Sequence, residues 1–326
     1  MPQWAIPELH CPFVSAVNDR VHEAEEGTAG WIFRHGLAGE RYAAAIAAAA
    51  ARLAARTRPR AGYEALRATS DFYAWMFVRD DYCDETAAGL NASGLFREDL
   101  GSLAVLQRRR EGAGSRERAL ADVLRRLSAL SPGRAWRRGF SRQMRAYFQA
   151  TFWEAANRFR GEVPDLRTYS RMRPVAAGVL VDDALLGASL PGAPGAALPP
   201  PPASSPLLAA LSGHAARAVC WSNDLFSLEK ELAAGDVHNL VVVLSRERGT
   251  TTQEAVSRAA RMHDEEVRSF IGLEDRLLEE RSRQSSLQPE WVDSYLDALK
   301  DRMRGNLDWT LAAARYGASA PDGGSR

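Results

Sequence analysis

Two short stretches hold the residue types best suited to chemistry. Asp80, Asp81, Asp84 and Glu85 put four carboxylates within six positions, a crowding that is electrostatically costly unless cations share it. Asn223, Ser227 and Glu231 follow one another at i, i+4 and i+8, so an amide, a hydroxyl and a carboxylate share one face of a helix. Every one is an oxygen donor. Hard cations take such ligands, and Mg²⁺ in particular binds one or two carboxylates and completes its shell with water and substrate phosphates. The residue types therefore suggest divalent-metal chemistry on a phosphate-bearing substrate. Each motif alone also fits a solvated polar helix surface, and short matches of this kind arise often by chance.

The surrounding pattern separates these readings. Counting back from Asp80 at helical spacing gives Phe77, Met76 and Tyr73; counting back from Asn223 gives Cys220, Val219 and Ala216. In both cases an apolar stripe runs into the ligand-type residues, which predicts helices whose stripe faces the interior and ends in metal-binding chemistry. The same three-and-four spacing predicts helices over Tyr42 to Ala55, Tyr63 to Ala88, Leu120 to Leu130, Arg142 to Arg160, Leu207 to Ala234, Thr252 to Phe270 and Trp291 to Tyr316. Val241, Val242 and Val243 favour a strand, but the run is short and lies among helices, so it is read as helical. The fold class is all-α, and no fixed repeat points to a solenoid. Pro199 to Pro202 make 193–206 a connector. The arginines around Arg108 to Arg110 are interleaved with Glu111 and Glu117 and read as a solvated loop.

Composition narrows the function classes. The 326 residues carry 42 Lys and Arg against 41 Asp and Glu, a net charge of +1, so no global field draws the protein to nucleic acid or anionic lipid. No segment has the length of a membrane span, and the first residues lack a signal-peptide pattern. Cys11, Cys83 and Cys220 are odd in number and lack CxxC spacing, which disfavours a disulfide framework or a zinc site. The expectation is a cytoplasmic protein with reduced thiols.

Taken together, the two motifs resemble a known family. Asp80-Asp81-Tyr82-Cys83-Asp84 is similar to the aspartate-rich motif of bacterial class I terpene synthases, and Asn223 to Glu231 matches their NDxxSxxxE motif. The resemblance runs from Cys11-Pro12-Phe13 to Trp309 and Arg315-Tyr316. It implies a single-domain helical bundle over 1–316 with a central apolar cavity, followed by a disordered tail at 317–326. It implies three Mg²⁺ ions held by Asp80, Asp81, Asp84, Asn223, Ser227 and Glu231, and an acyclic isoprenoid diphosphate as substrate. Farnesyl diphosphate is expected first and geranylgeranyl diphosphate next. A homodimer is compatible with it.

The resemblance also assigns cationic and pocket residues. Arg173 stands where the family senses diphosphate, with Arg171 as an alternative. Lys230, Arg315 and Tyr316 stand where it closes on that group. Where the family often has Thr or Asp and then a residue whose backbone carbonyl assists ionisation, this chain has Ala176 and Ala177, so the usual side-chain link is missing. Pro174 and Gly178 fit a broken helix there. Phe77 and Trp309 are expected to face the cation, whereas Phe148, Phe152 and Phe159 are expected in the ordinary core. His238 begins a segment that resembles a family loop and is not expected to be catalytic. A chain-elongating prenyl diphosphate synthase would repeat an aspartate-rich motif where Asn223, Ser227 and Glu231 stand. A non-catalytic helical binding protein is the rival from another class.

Overall fold

A computed structural model describes residues 4–89, 92–107, 114–130, 134–189, 205–283 and 291–315, with side chains left undescribed at 82–89, 92–98, 188–189, 281–283 and 314–315. Among the described residues the regular structure is helical throughout. The helices are α1 (Val21–Arg34), α2 (Glu40–Thr57), α3 (Tyr63–Gly89), α4 (Ala92–Leu106), α5 (Ser115–Leu130) and α6 (Arg134–Arg160) in the first half. The second half has α7 (Leu166–Ala176), α8 (Val179–Ser189), α9 (Pro206–Ala233), α10 (Leu240–Arg248), α11 (Thr252–Arg283) and α12 (Trp291–Arg315). The valine run is indeed helical, as part of α10.

Six segments close a ring. α12 packs between α2 and α9; α2 packs on α3, α3 on α6 and α8, and α8 on α9. α7 joins α6 and α9 on the same side. Core residues of α1, α2, α3, α5, α6 and α8 form one buried cluster around Phe72, Trp75 and Phe140, and those of α9, α11 and α12 form another around Phe270 and Tyr295. The ring closes tightly at one place: a Cβ added to Gly305 on α12 would lie 2.2 Å from the carbonyl oxygen of Arg56 at the end of α2. Only glycine lets those two backbones meet.

Local sequence sets the ends near the site. Asp165 caps α7 by accepting from the Thr168 amide at 2.8 Å, and Asn239 caps α10 by accepting from the Val241 amide at 2.8 Å, each satisfying an amide the helix leaves open. Pro174 sits inside α7, and the chain breaks at Gly178, whose φ of +71° favours glycine. The break separates α7 from α8. The N-terminal segment lies across the outside, with the His10 amide donating to Asp264 at 2.9 Å and Arg304 donating to the Cys11 carbonyl at 3.2 Å. Cys11 and Cys220 are buried free thiols, and Cys83 has no described side chain.

Two aromatics depart from the sequence expectation. Phe148 is buried at 4% exposure, but Phe152 and Phe159 are 46% and 76% exposed. Helical spacing from Phe148 selects a face, but that face is covered only along part of α6, so the stripe leaves the core before it ends.

Candidate active site

The aspartate-rich motif lies on α3, near the end of its described side chains. Tyr73, Met76 and Phe77 are half-buried while Phe72, Ala74 and Trp75 on the other faces are buried. Asp80 is exposed, yet neighbouring protein desolvates its carboxyl and pushes its pKa up, Asp81 adds to the rise, and Arg79, Arg158 and Arg173 oppose it. Asp81 accepts a hydrogen bond on one carboxylate oxygen from the Tyr42 hydroxyl of α2. The side chain of Asp84 lies outside the described residues.

Between these two aspartates and the core, Arg79 anchors the helix. It grips Asp99 with two bonds at 3.1 and 2.8 Å and donates to the Tyr147 hydroxyl and Thr151 on α6 at 2.8 and 2.9 Å. Its guanidinium lies 4.7 Å from the Tyr147 ring centre and 4.9 Å from that of Phe148. A fully partnered buried arginine of this kind fixes α3 against α6 and so fixes the direction of Asp80.

α9 carries the second set on one face. Ser227 donates to the Asn223 carbonyl at 2.8 Å, which leaves the lone pairs of its hydroxyl available. Glu231 accepts from Asn239 at 2.7 Å. Burial, and after it the charge of Asp224, push the Glu231 pKa up to about 7. Lys230 is exposed beside it.

Arg173 reaches this helix from α7. It donates to the Asn223 side-chain oxygen at 3.0 Å and to Asp224 at 2.9 Å. Arg171 is exposed. Asp224 is wholly buried and gathers donors: Arg173, the Tyr169 hydroxyl at 2.5 Å and the Leu240 amide at 3.0 Å. Asn239, in turn, donates to the Asp224 carbonyl at 2.7 Å. Asp224 enters the sequence only as the D of the NDxxSxxxE match, and its task, like those of Tyr169 and Asn239, is not readable there because it lies off the ligand face and its partners are far along the chain. Only the capping position of Asn239 was a usable signal.

Ala177 caps α7 and is half-buried at the break, and the next residue packs tightly, since a Cβ on Gly178 would come within 2.5 Å of the Met76 side chain. Phe77 stacks with Trp309 of α12, centroids 6.2 Å apart and planes 19° from parallel, and the Trp309 indole donates to the Ala49 carbonyl at 3.1 Å. Arg315 lies at the end of α12 with no described side chain, and Tyr316 lies outside the described residues. His238 is buried, next to Asn157 at 3.2 Å and Asp236 at 3.2 Å, and its ring lies edge-on to Trp153.

The arrangement is that of an all-helical class I enzyme, with oxygen donors on two helices, cations beside them and aromatic surface deeper in. The family described as terpene synthase family 2, C-terminal metal binding, matches residues 71–269, and the chain belongs to this family. It is 31% identical over 323 residues to a (+)-T-muurolol synthase of Roseiflexus castenholzii, covering 94% of this chain and 92% of the relative. It is also 31% identical to a germacrene A synthase of Nostoc punctiforme, covering 97% and 96%. The fold matches that of a linalool/nerolidol synthase from Streptomyces clavuligerus with a TM-score of 0.80 at 25% identity, covering 94% of this chain and all of that one. Among the described residues no helix is long and apolar enough to cross a membrane.

Proposed function

We propose that the protein ionises farnesyl diphosphate and cyclises the resulting allylic cation to a sesquiterpene, with geranylgeranyl diphosphate as the next candidate. The observation that carries this reading is two sets of oxygen donors on inward helices, Asp80 on α3 and Asn223, Ser227 and Glu231 on α9, with Arg173 bonded to Asn223 and its charge acting on Asp80. The substrate assignment rests on relatives named for farnesyl-derived products. The site fits magnesium: desolvation by neighbouring protein raises the pKa values of Asp80 and Glu231, so both carboxylates gain by having a cation beside them.

Asp80, Asp81, Asp84, Asn223, Ser227 and Glu231 would hold the metal, which we take as three ions. When bound, Mg²⁺ supplies Lewis-acid neutralisation of the diphosphate. Arg173, Lys230, Arg315 and Tyr316 stabilise the charge that grows on that group as the carbon–oxygen bond breaks. Asp224 positions Arg173 for this task, holding its guanidinium from the side away from solvent. Phe77 and Trp309 offer ring faces to the cation, each worth about 0.5–2 kcal/mol. Ala177 stands at the break between α7 and α8, where the family resemblance assigns the backbone carbonyl that assists ionisation. Residues 1–316 act as one catalytic domain.

Incubation with the C10, C15 and C20 diphosphates and Mg²⁺, read by diphosphate release and gas chromatography with mass detection, tests the reading. Cyclic C15 products are expected. Elongated prenyl diphosphates would instead mark a prenyltransferase, and no release from any donor would mark a binding protein.

A further inference from the structure

One turn before the Phe77 and Trp309 pair, the face of α3 that meets α8 and α12 carries a polar group. Tyr73 lies one turn before Phe77 on the same face of α3 and is half-buried, although Phe72 and Ala74 beside it are at most 1% exposed. That face looks at other helices: Phe77 meets Trp309 of α12 and Tyr73 meets Asp182 of α8. The accessible surface of Tyr73 therefore belongs to the space those helices enclose.

Behind the phenol stands a buried ionic cluster. The Tyr73 hydroxyl donates to Asp182 Oδ1 at 2.8 Å, and Arg58 donates to the same oxygen. Asp182 is only 6% exposed, yet its other oxygen, Oδ2, has no hydrogen-bond donor; the Arg302 guanidinium stands 3.7 Å away. Arg302 pairs instead with Asp183, which also accepts from Ser212. Two arginines face two aspartates, so the cluster is neutral. A buried acceptor oxygen without a donor is costly, so this carboxylate keeps unused proton-accepting capacity on Oδ2, while its Oδ1 is the oxygen the phenol touches.

Every ending of a cyclisation releases one proton, from carbon when an alkene forms or from a captured water when an alcohol forms. We propose that Tyr73 takes that proton while Asp182, acting through it, takes the proton Tyr73 gives up. The breaking C–H bond leaves its electron pair as the new C=C π bond; in the alcohol case, the O–H pair stays on oxygen. One proton joins the Tyr73 oxygen as another leaves it for Asp182, so the phenol ends neutral and never becomes an oxonium. The positive charge leaves the hydrocarbon and reappears as Arg58 and Arg302 balanced by Asp183 alone. That imbalance returns the proton through Tyr73 to solvent water once product has gone. The inference rests on the cyclisation reading above.

The test is Tyr73→Phe, which keeps the ring and removes the oxygen, with diphosphate release and product distribution measured separately on the C15 donor. Release is expected within about twofold of wild type, while the main product falls several-fold in favour of products of other proton losses. Asp182→Asn, whose amide oxygen accepts the phenol hydrogen bond but not its proton, should give the same redistribution, with thermal melting followed alongside. An unchanged product distribution in Tyr73→Phe overturns the proposal, whether or not Asp182→Asn folds. So does a parallel loss of release and product at unchanged shares, which marks a role in ionisation or packing. Wild-type protein that releases no diphosphate overturns the cyclisation reading itself.

Discussion

At the scale of single residues, the site places carboxylates where their charge is poorly compensated by protein. Asp80 is exposed, and its removal disturbs no packing. Asp80→Asn is therefore expected to leave the melting temperature unchanged or slightly raised. Turnover should fall on the order of a hundredfold or more, because several kcal/mol of transition-state charge stabilisation depend on the metal. Activity near wild type would remove Asp80 from the ligand set. Glu231 adds a pH dependence whose sign is fixed. Its pKa, pushed up to about 7 by burial and then by Asp224, means that the metal-free carboxyl holds a proton below that pH. A cation must displace the proton, so the apparent Mg²⁺ dissociation constant should rise by up to about tenfold per unit as pH falls below 7. Raising Mg²⁺ should move the acidic limb of the activity profile to lower pH. A limb that ignores Mg²⁺ would assign it to another group. The ligand-type residues are legible in the sequence because their spacing repeats the helical period. Asp224 is not, because its partner Arg173 lies 51 residues away, and no local pattern marks a pair so distant.

At the scale of elements, two substitutions separate framework from chemistry. Gly305→Ala would drive a methyl into the Arg56 carbonyl, a backbone contact that cannot rotate away. A loss of about 1–3 kcal/mol or more is expected, seen in denaturant unfolding, with the product spectrum of the folded fraction unchanged. Phe77→Ala should do the reverse. Loss of a ring facing the cation costs about 1 kcal/mol, several-fold in one branch ratio, so products shift toward acyclic or early-quenched species while diphosphate release changes less. Phe77→Tyr should keep more cyclisation than Phe77→Leu. An identical product spectrum across these variants would make Phe77 a packing residue. The helices themselves divide by legibility. α9 and α12 announce themselves through unbroken apolar spacing, and the α7 and α8 break through Pro174 and Gly178. α1 and α4 do not, since Gly27, Gly30, Gly94 and Gly101 interrupt them. Glycine lowers intrinsic helicity by about 1 kcal/mol per residue, and in α1 it is tertiary packing that restores it, with Trp31 and Ile32 buried at 2% and 0% exposure.

At the scale of the whole molecule, the ring of helices is held by packing and by buried ion pairs such as Arg58–Asp182 and Arg302–Asp183, while the two oxygen-donor sets occupy separate helices, α3 and α9. α3 is tied to α6 through Arg79 and α9 to α7 through Arg173, so each set is rigid within its own half. A ligand that binds both sets at once should stabilise the native state by mass action, about 2.7 kcal/mol at a hundred times its dissociation constant. For a chain of 326 residues that corresponds to a melting shift of a few degrees. Neither partner should achieve this alone, because Mg²⁺ by itself finds incomplete shells and inorganic diphosphate by itself adds anions beside Asp80 and Glu231. The expected thermal-melting pattern is a small response to either component and a clearly larger one to both together. Asp80→Asn and Glu231→Ala should each abolish the joint response, one from each helix. A full shift with Mg²⁺ alone would mean that protein oxygens complete the metal shell without substrate. A joint shift that survives loss of either set would mean that the diphosphate binds away from α3 and α9.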